Sequence, residues 1–163
     1  MKLYIVRHAI AQERSASGRD DDRALTSEGR AKMARATQGL RKMKVALDLI
    51  LTSPLRRARE TAEILAEGLI VTRIEVLAEL APGHDPRSVI ARLPGYSDAK
   101  AVALVGHQPA LGHLVSLILT GATDSLEVDF KKGGVACIET ELPAKAGSSI
   151  LEWFVTPKML RAL

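Results

Sequence analysis

An α/β fold with a mostly parallel sheet is what this sequence predicts, on three observations. Short apolar runs alternate with amphipathic helical stripes along the chain. One run, Ala101–Val105 (AVALV), is unbroken, as in a strand covered on both faces. The length, 163 residues, suits one domain over residues 1–163.

The elements follow in order. Leu3–Val6 reads as a first strand, and residues 11–24, with Gly18 and the run Asp20-Asp21-Asp22, as a polar loop. Thr26 can cap a helix whose apolar stripe runs Gly29, Met33, Ala36, Leu40 and Met43. Leu47–Leu51 is a second strand. After it, Ser53 as N-cap and Pro54 as first helical residue predict a helix with Leu55, Ala58, Ala62, Leu65 and Leu69 on one side. Ile74–Leu77 is a short strand, and Asp85-Pro86 opens a short helix to about Leu93. Pro109–Leu119 is apolar nearly all round and predicts a buried helix. Val135–Glu139 and Ile150–Val155 are the last strands. No internal repeat or long linker divides the chain.

Composition narrows the function classes. At 47% apolar and 26% charged residues, global disorder is excluded. No apolar run reaches the roughly 18 residues of a spanning helix, and MKLYIVRHAI lacks a cleavage site. Cys137 is the lone cysteine, so no internal disulfide can form. A cytoplasmic protein is the expectation, with no membrane partner. Residues 1–60 hold 14 Lys/Arg against 7 Asp/Glu, whereas residues 61–163 hold 9 against 12. A basic first part attracts an anion, either nucleic acid or a phosphorylated substrate. The five aromatics are not interleaved with the basic residues and no nucleic-acid motif is present, which argues against nucleic acid.

Arg7-His8 follows the first strand and Gly106-His107 follows AVALV. Strand carboxyl ends are where open α/β sheets bind ligands. A strand-end histidine bonded to backbone is the bland reading of either one. Two strand ends each delivering a histidine are harder to dismiss. Arg56, Arg57 and Arg59 crowd a helix start, against the helix dipole. Arg56 and Arg59 have acids four residues on, Glu60 and Glu63, so a solvated salt-bridged face accounts for them. Arg57 has Thr61 there, and an unpaired arginine beside free helix N–H groups suits an anion.

Other chemistries lack support. His107 and His113 are six apart and no HExxH occurs, which disfavours a metal. His113 reads as a structural hydrogen-bonder in the buried helix. Ser53 and Ser116 lie outside any GxSxG, no GxxxxGK[ST] or GxGxxG is present, and Cys137 reads as core.

Arg7-His8, Ser53-x-x-x-Arg57-Ala58, Gly106-His107 and the LTSEG segment Leu25–Gly29, in this order, resemble the histidine phosphatase superfamily over residues 1 to about 120. The short connection between the second helix and the next strand is similar to the SixA-type phosphohistidine phosphatases. Ala9 stands where the family usually has glycine. The resemblance implies a three-layer sandwich of the phosphoglycerate-mutase type without a lid domain. It implies His8 as nucleophile, with Arg7, Arg57 and His107 around the phosphoryl oxygens and no metal or other cofactor. It implies a proton donor between the second helix and the GH strand, with Glu79 the positional match and Asp85 the reserve. The expected function is dephosphorylation of phosphohistidine on a protein. The alternatives are a small-molecule phosphomonoesterase or mutase with the same site, and a non-catalytic phosphate- or phosphoprotein-binding module.

Overall fold

The computed structural model describes residues 1–142 and 147–163. Six strands form one sheet: β1 (Lys2–Arg7), β2 (Leu49–Thr52), β3 (Ile74–Val76), β4 (Ala101–Gly106), β5 (Val135–Glu139) and β6 (Ile150–Val155). Their order is β3-β2-β4-β1-β5-β6. The first four run parallel, and β5 and β6 are antiparallel additions beside β1.

The strand pattern sends alternate side chains to opposite faces, and each face has its own helices. Tyr4, Val6, Ile50, Ala103 and Val105 point to one face. There they meet α1 (Ser27–Lys42), α2 (Arg56–Leu69) and α5 (Pro157–Ala162) through Met33, Ala36, Leu40, Ala62, Leu65 and Leu160. Leu3, Ile5, Leu49, Leu51, Val102 and Leu104 point to the other. They meet α3 (Pro86–Arg92) and α4 (Ala110–Thr120) through Val89, Leu111, Leu114, Val115 and Ile118. Helices therefore cover both faces of a mostly parallel sheet, the expected three-layer sandwich. Each fully buried leucine or valine contributes about 1.5–3 kcal/mol.

Local sequence accounts for most boundaries. Thr26 caps α1, its hydroxyl accepting from the Gly29 N–H at 2.9 Å. A Cβ on Gly29 would lie 2.1 Å from the Ile10 carbonyl oxygen, so only glycine lets α1 approach the chain leaving β1. Asp85 caps α3, with Pro86 in its first turn.

Four expectations need correction. Leu55, with no side-chain cap, precedes α2, and Pro54 lies before the helix. Ser53 is committed elsewhere, as described below. The residue His113 lies on an exposed face of α4, so that helix is not buried all round. A 3-10 turn, Asp20–Asp22, interrupts the loop after β1. The short helix α5, announced by Thr156-Pro157, had no periodicity long enough to read.

Candidate active site

Sheet register brings the two histidines together. β1 and β4 are adjacent and parallel, with Arg7 opposite Gly106, so the next residues out are His8 and His107. The His8 N–H donates to the Gly106 carbonyl at 3.1 Å. The imidazole rings lie 5.0 Å apart between centroids, tilted by 53°. Ser53 leaves β2 on the other side of β4, its N–H donating to Val105 O at 2.9 Å. Its hydroxyl is 2.8 Å from His107 Nε2.

Each imidazole is fixed. His8 Nδ1 is 2.7 Å from the Ala9 carbonyl oxygen. A carbonyl only accepts, so Nδ1 carries the proton and Nε2 of the neutral ring keeps its lone pair. The alanine at position 9 supplies that carbonyl from its backbone. Ala9 is itself held from α2, its N–H donating to Thr61 Oγ1 at 3.1 Å while that hydroxyl donates to the Arg57 carbonyl at 2.7 Å. The threonine four residues beyond Arg57 thus ties the helix to the segment bearing His8.

Arginines complete the surroundings. Arg57, in the first turn of α2, is only 5% exposed. Its Nη1 donates to the Asp20 carbonyl at 2.8 Å and its Nη2 to Asp20 Oδ2 at 3.0 Å. A buried guanidinium costs several kcal/mol unless paired, and Asp20 supplies the pair. Arg7 Nη1 donates to the Phe130 carbonyl and lies 4.0 Å from Asp129 Oδ1. Arg56 behaves as expected, meeting Glu60 at 2.9 Å. Glu60 is nevertheless no solvated acid, because it also takes Arg30 at 2.7 Å and the Leu25 N–H at 2.7 Å. It clamps α1 and the LTSEG segment to α2. Arg59 has no ion pair among the described residues.

Burial and positive charge act together on the rings. Burial, with the Arg57, Arg7 and Lys132 charges, pushes His8 down to about 4, against the opposing hydrogen bond to Ala9. Burial, with His8, Arg57 and Arg7, pushes His107 down to about 3, although Asp20 opposes this. Both rings are neutral at pH 7. Buried atoms without a hydrogen-bond partner include Arg7 Nε, Arg57 Nε and His107 Nδ1. Leaving a buried polar group unmatched costs about 1–3 kcal/mol. Several such groups around one pair of rings mark a place built to receive an anion.

The remaining candidates make no hydrogen bond or ion pair to this cluster among the described residues. Glu79, on the 3-10 turn Ala78–Leu80, pairs with Arg92 Nε at 3.3 Å. Asp85 accepts from the Arg87 N–H at 2.8 Å and lines a cleft of about 390 Å³ with His84, His107 and His113. Cys137 is buried, and burial beside Glu152 pushes its thiol up to about 12, so it is no nucleophile. Among the described residues no three His, Cys, Asp or Glu side chains group as a metal site. Sequence reasoning overlooked Asp20 and Ser53. Asp20 had been read only as part of an acidic run in a polar loop, and Ser53 only as a cap.

A neutral buried imidazole with a free lone pair, ringed by cationic donors, can attack an electrophilic anion. Comparison with known proteins identifies the family. Residues 3–85 match the family model of the histidine phosphatase superfamily (branch 1). The chain is 40% identical over 138 residues to an uncharacterized protein of Picosynechococcus sp., covering 83% of this chain and 82% of that one. It is 29% identical to the phosphohistidine phosphatase SixA of Escherichia coli (strain K12), over 100% of both chains. A solved structure of the protein histidine phosphatase SixA with tungstate superimposes with a TM-score of 0.87 at 28% identity, covering 98% of this chain and 99% of that one. The matched segment contains the strand end bearing His8 and the helix start bearing Arg57, and on that ground the chain belongs to the histidine phosphatase superfamily and is a phosphatase.

Proposed function

We propose that this phosphatase removes phosphohistidine from a protein through a phosphohistidine intermediate on His8. The observation that carries the reading is the Nδ1 contact to the Ala9 carbonyl, which leaves Nε2 as the attacking atom. Similarity to SixA over the full length supports the substrate class. Residues 1–163 act as one catalytic domain in this reading. The site is cytoplasmic, and no helix among the described residues is long and apolar enough to cross a membrane.

In the first step His8 Nε2 forms a bond to phosphorus as the substrate's N–P bond breaks. The released electron pair returns to the substrate imidazole, which leaves neutral when its second nitrogen already carries a proton. Arg7, Arg57 and His107 hold the equatorial oxygens and stabilise their charge during transfer. The bound dianion favours protonation of His107 by solvent, and its Nδ1 has no other partner. In the second step water attacks phosphorus, the His8 N–P bond breaks with its electron pair returning to Nε2, and inorganic phosphate leaves carrying the oxygen and both protons of that water, as dihydrogen phosphate. Ester substrates need a donor for the alkoxide, the role assigned to Glu79 with Asp85 in reserve.

The test is a panel containing a phosphohistidine protein, a sugar phosphate and an aryl phosphate, with acid-quenched trapping of labelled phosphate. Highest kcat/KM on the phosphohistidine protein, with label on His8, is the expected result. Faster turnover of the sugar phosphate would overturn the substrate class, and label elsewhere would overturn the nucleophile.

A further inference from the structure

A second cleft opens beside Arg7 and shares no lining residue with the His107 cleft. It encloses about 380 Å³. Three segments form its walls: Gly29, Lys32 and Met33 of α1, the stretch Lys131–Gly133 ahead of β5, and Pro157 with Arg161 of α5. Arg7 and Ala9, the chain neighbours of His8, are among its lining residues, so the cleft lies beside the residues around His8. Five lining residues are cationic and none is acidic.

These cations are only partly neutralised. Lys32 pairs with Glu28, and Lys131 with Asp129 at 2.5 Å. Lys132 and Arg161 have no ion pair among the described residues. The Lys131–Gly133 wall is held rigidly to the site, because the Gly133 N–H donates to the Arg7 carbonyl at 3.0 Å. Lys132 is near enough for its charge to act on His8. The volume falls at the small end of ligand-sized pockets, about 300–1,000 Å³, and one phosphoryl group does not fill it. Apolar walls from Ala9, Ile10, Met33 and Pro157 suit side chains more than a bare ion.

We infer that this cleft binds an acidic segment of the phosphorylated protein, flanking the phosphohistidine that enters at His8. The inference rests on the proposed protein substrate and adds a rule for choosing it. A one-signed cleft beside the reaction centre raises the local concentration of an acidic partner and fixes its orientation.

The experiment uses three phosphohistidine peptides with one core and acidic, neutral or lysine-rich flanks, together with phosphoimidazole as a small N–P substrate. Each is assayed with the wild-type enzyme, Lys32→Ala/Arg161→Ala and Lys32→Glu/Arg161→Glu. Each exposed pair changes binding by about two- to fivefold, so the wild type should favour acidic over neutral flanks by about tenfold at low salt. That preference should shrink in 0.5 M salt, as expected of screened charges. The alanine pair should lose it through KM, the glutamate pair should invert it, and phosphoimidazole turnover should stay within twofold. Equal rates on all three peptides with the wild-type enzyme would overturn the cleft's role and leave the protein substrate standing. Turnover of phosphoimidazole with none of the peptides would overturn both. Parallel losses on every substrate in the variants would also overturn it, since they would mean a structural effect.

Discussion

The two sides of the proposed reaction pocket are built differently. On the phosphate side, His8 and His107 extend adjacent strands in register and Arg57 opens a helix packed on the same sheet. Every one of these side chains is less than a tenth exposed, and each is fixed by a backbone carbonyl or a buried hydroxyl. On the side proposed for the leaving group, Glu79 and Asp85 sit on a 3-10 turn and a helix cap, after the edge strand β3. Glu79 is held by Arg92 and Asp85 stands by Arg87, both at the protein surface. One side is buried and organised before substrate arrives, and the other is more exposed and held by surface ion pairs. Stabilisation of developing charge is the larger part of phosphoryl transfer. A substrate whose leaving group needs little help fits that division, as phosphohistidine does.

The comparison is broken most directly at its rigid side. His8→Ala should keep the fold, because the β1–β4 ladder is unaffected, yet lower turnover by about 10⁴-fold or more since the covalent route is gone. Circular dichroism with a phosphohistidine assay checks both halves, and retained turnover would remove His8 from the mechanism. Next in size is Arg57→Ala, which deletes a charged donor and should cost about 10²–10³-fold in kcat. Arg57→Lys should rescue little, because lysine cannot meet Asp20 and a phosphate with one planar fork. Asp20→Asn keeps the backbone contact to Arg57 Nη1 and weakens only the Nη2 bond. It should cost about tenfold or less, and inorganic phosphate should still raise its Tm, unlike that of Arg57→Ala.

How much of this was legible follows the same division. Arg7-His8 and Gly106-His107 could be found because apolar runs mark strands and a residue past a strand's end has a known place. Arg57 stood out for lacking an acid four residues on. Asp20 did not, because its importance comes from an arginine 37 residues away and the run Asp20–Asp22 has no period. Ser53 looked like a cap, and only the β2–β4 pairing shows its hydroxyl meeting His107. Nor could the Glu79–Arg92 pair be read, since two loops and a turn of helix decide it. Strand ends are set by local pattern, whereas loop side chains are set by whatever lies across from them.

A smaller effect comes from pH and sharpens the contrast, since only the rigid side holds buried neutral histidines. His8 and His107 ordinarily titrate near 6.5 but are pushed down to about 4 and about 3 in the fold, chiefly by burial. Between those values and 6.5 the unfolded chain binds protons that the folded chain refuses. Stability should therefore be full above about pH 6.5 and fall as pH drops towards 4. Thermal melts from pH 7.5 to 4.5 check this, and His8→Asn should flatten the decline. An unchanged slope in that variant would place the lost stability in other groups.

The smallest effect on the proposed substrate should come from the loose side. Glu79→Gln removes the candidate proton donor, and it also weakens the pairing to Arg92 at a site about a quarter exposed. A solvated pair of that kind contributes about 0–1 kcal/mol, so the fold should tolerate the change. If Glu79 reaches a leaving oxygen, its loss should slow alkyl esters by about 10²–10⁴-fold. Aryl esters, whose phenolate leaves more easily, should slow less. A phosphohistidine peptide should change by less than about twofold, because its imidazole leaves without a donor. The measurement is kcat/KM for three esters of rising leaving-group basicity and one phosphohistidine peptide, in both proteins. A loss that grows with basicity places Glu79 as the acid. Equal losses on all four would mean that Glu79 and Arg92 together position the turn over the site. No loss on any would shift the role to Asp85, which already shares a cleft with His107, and Asp85→Asn in the same assay would then carry the graded response.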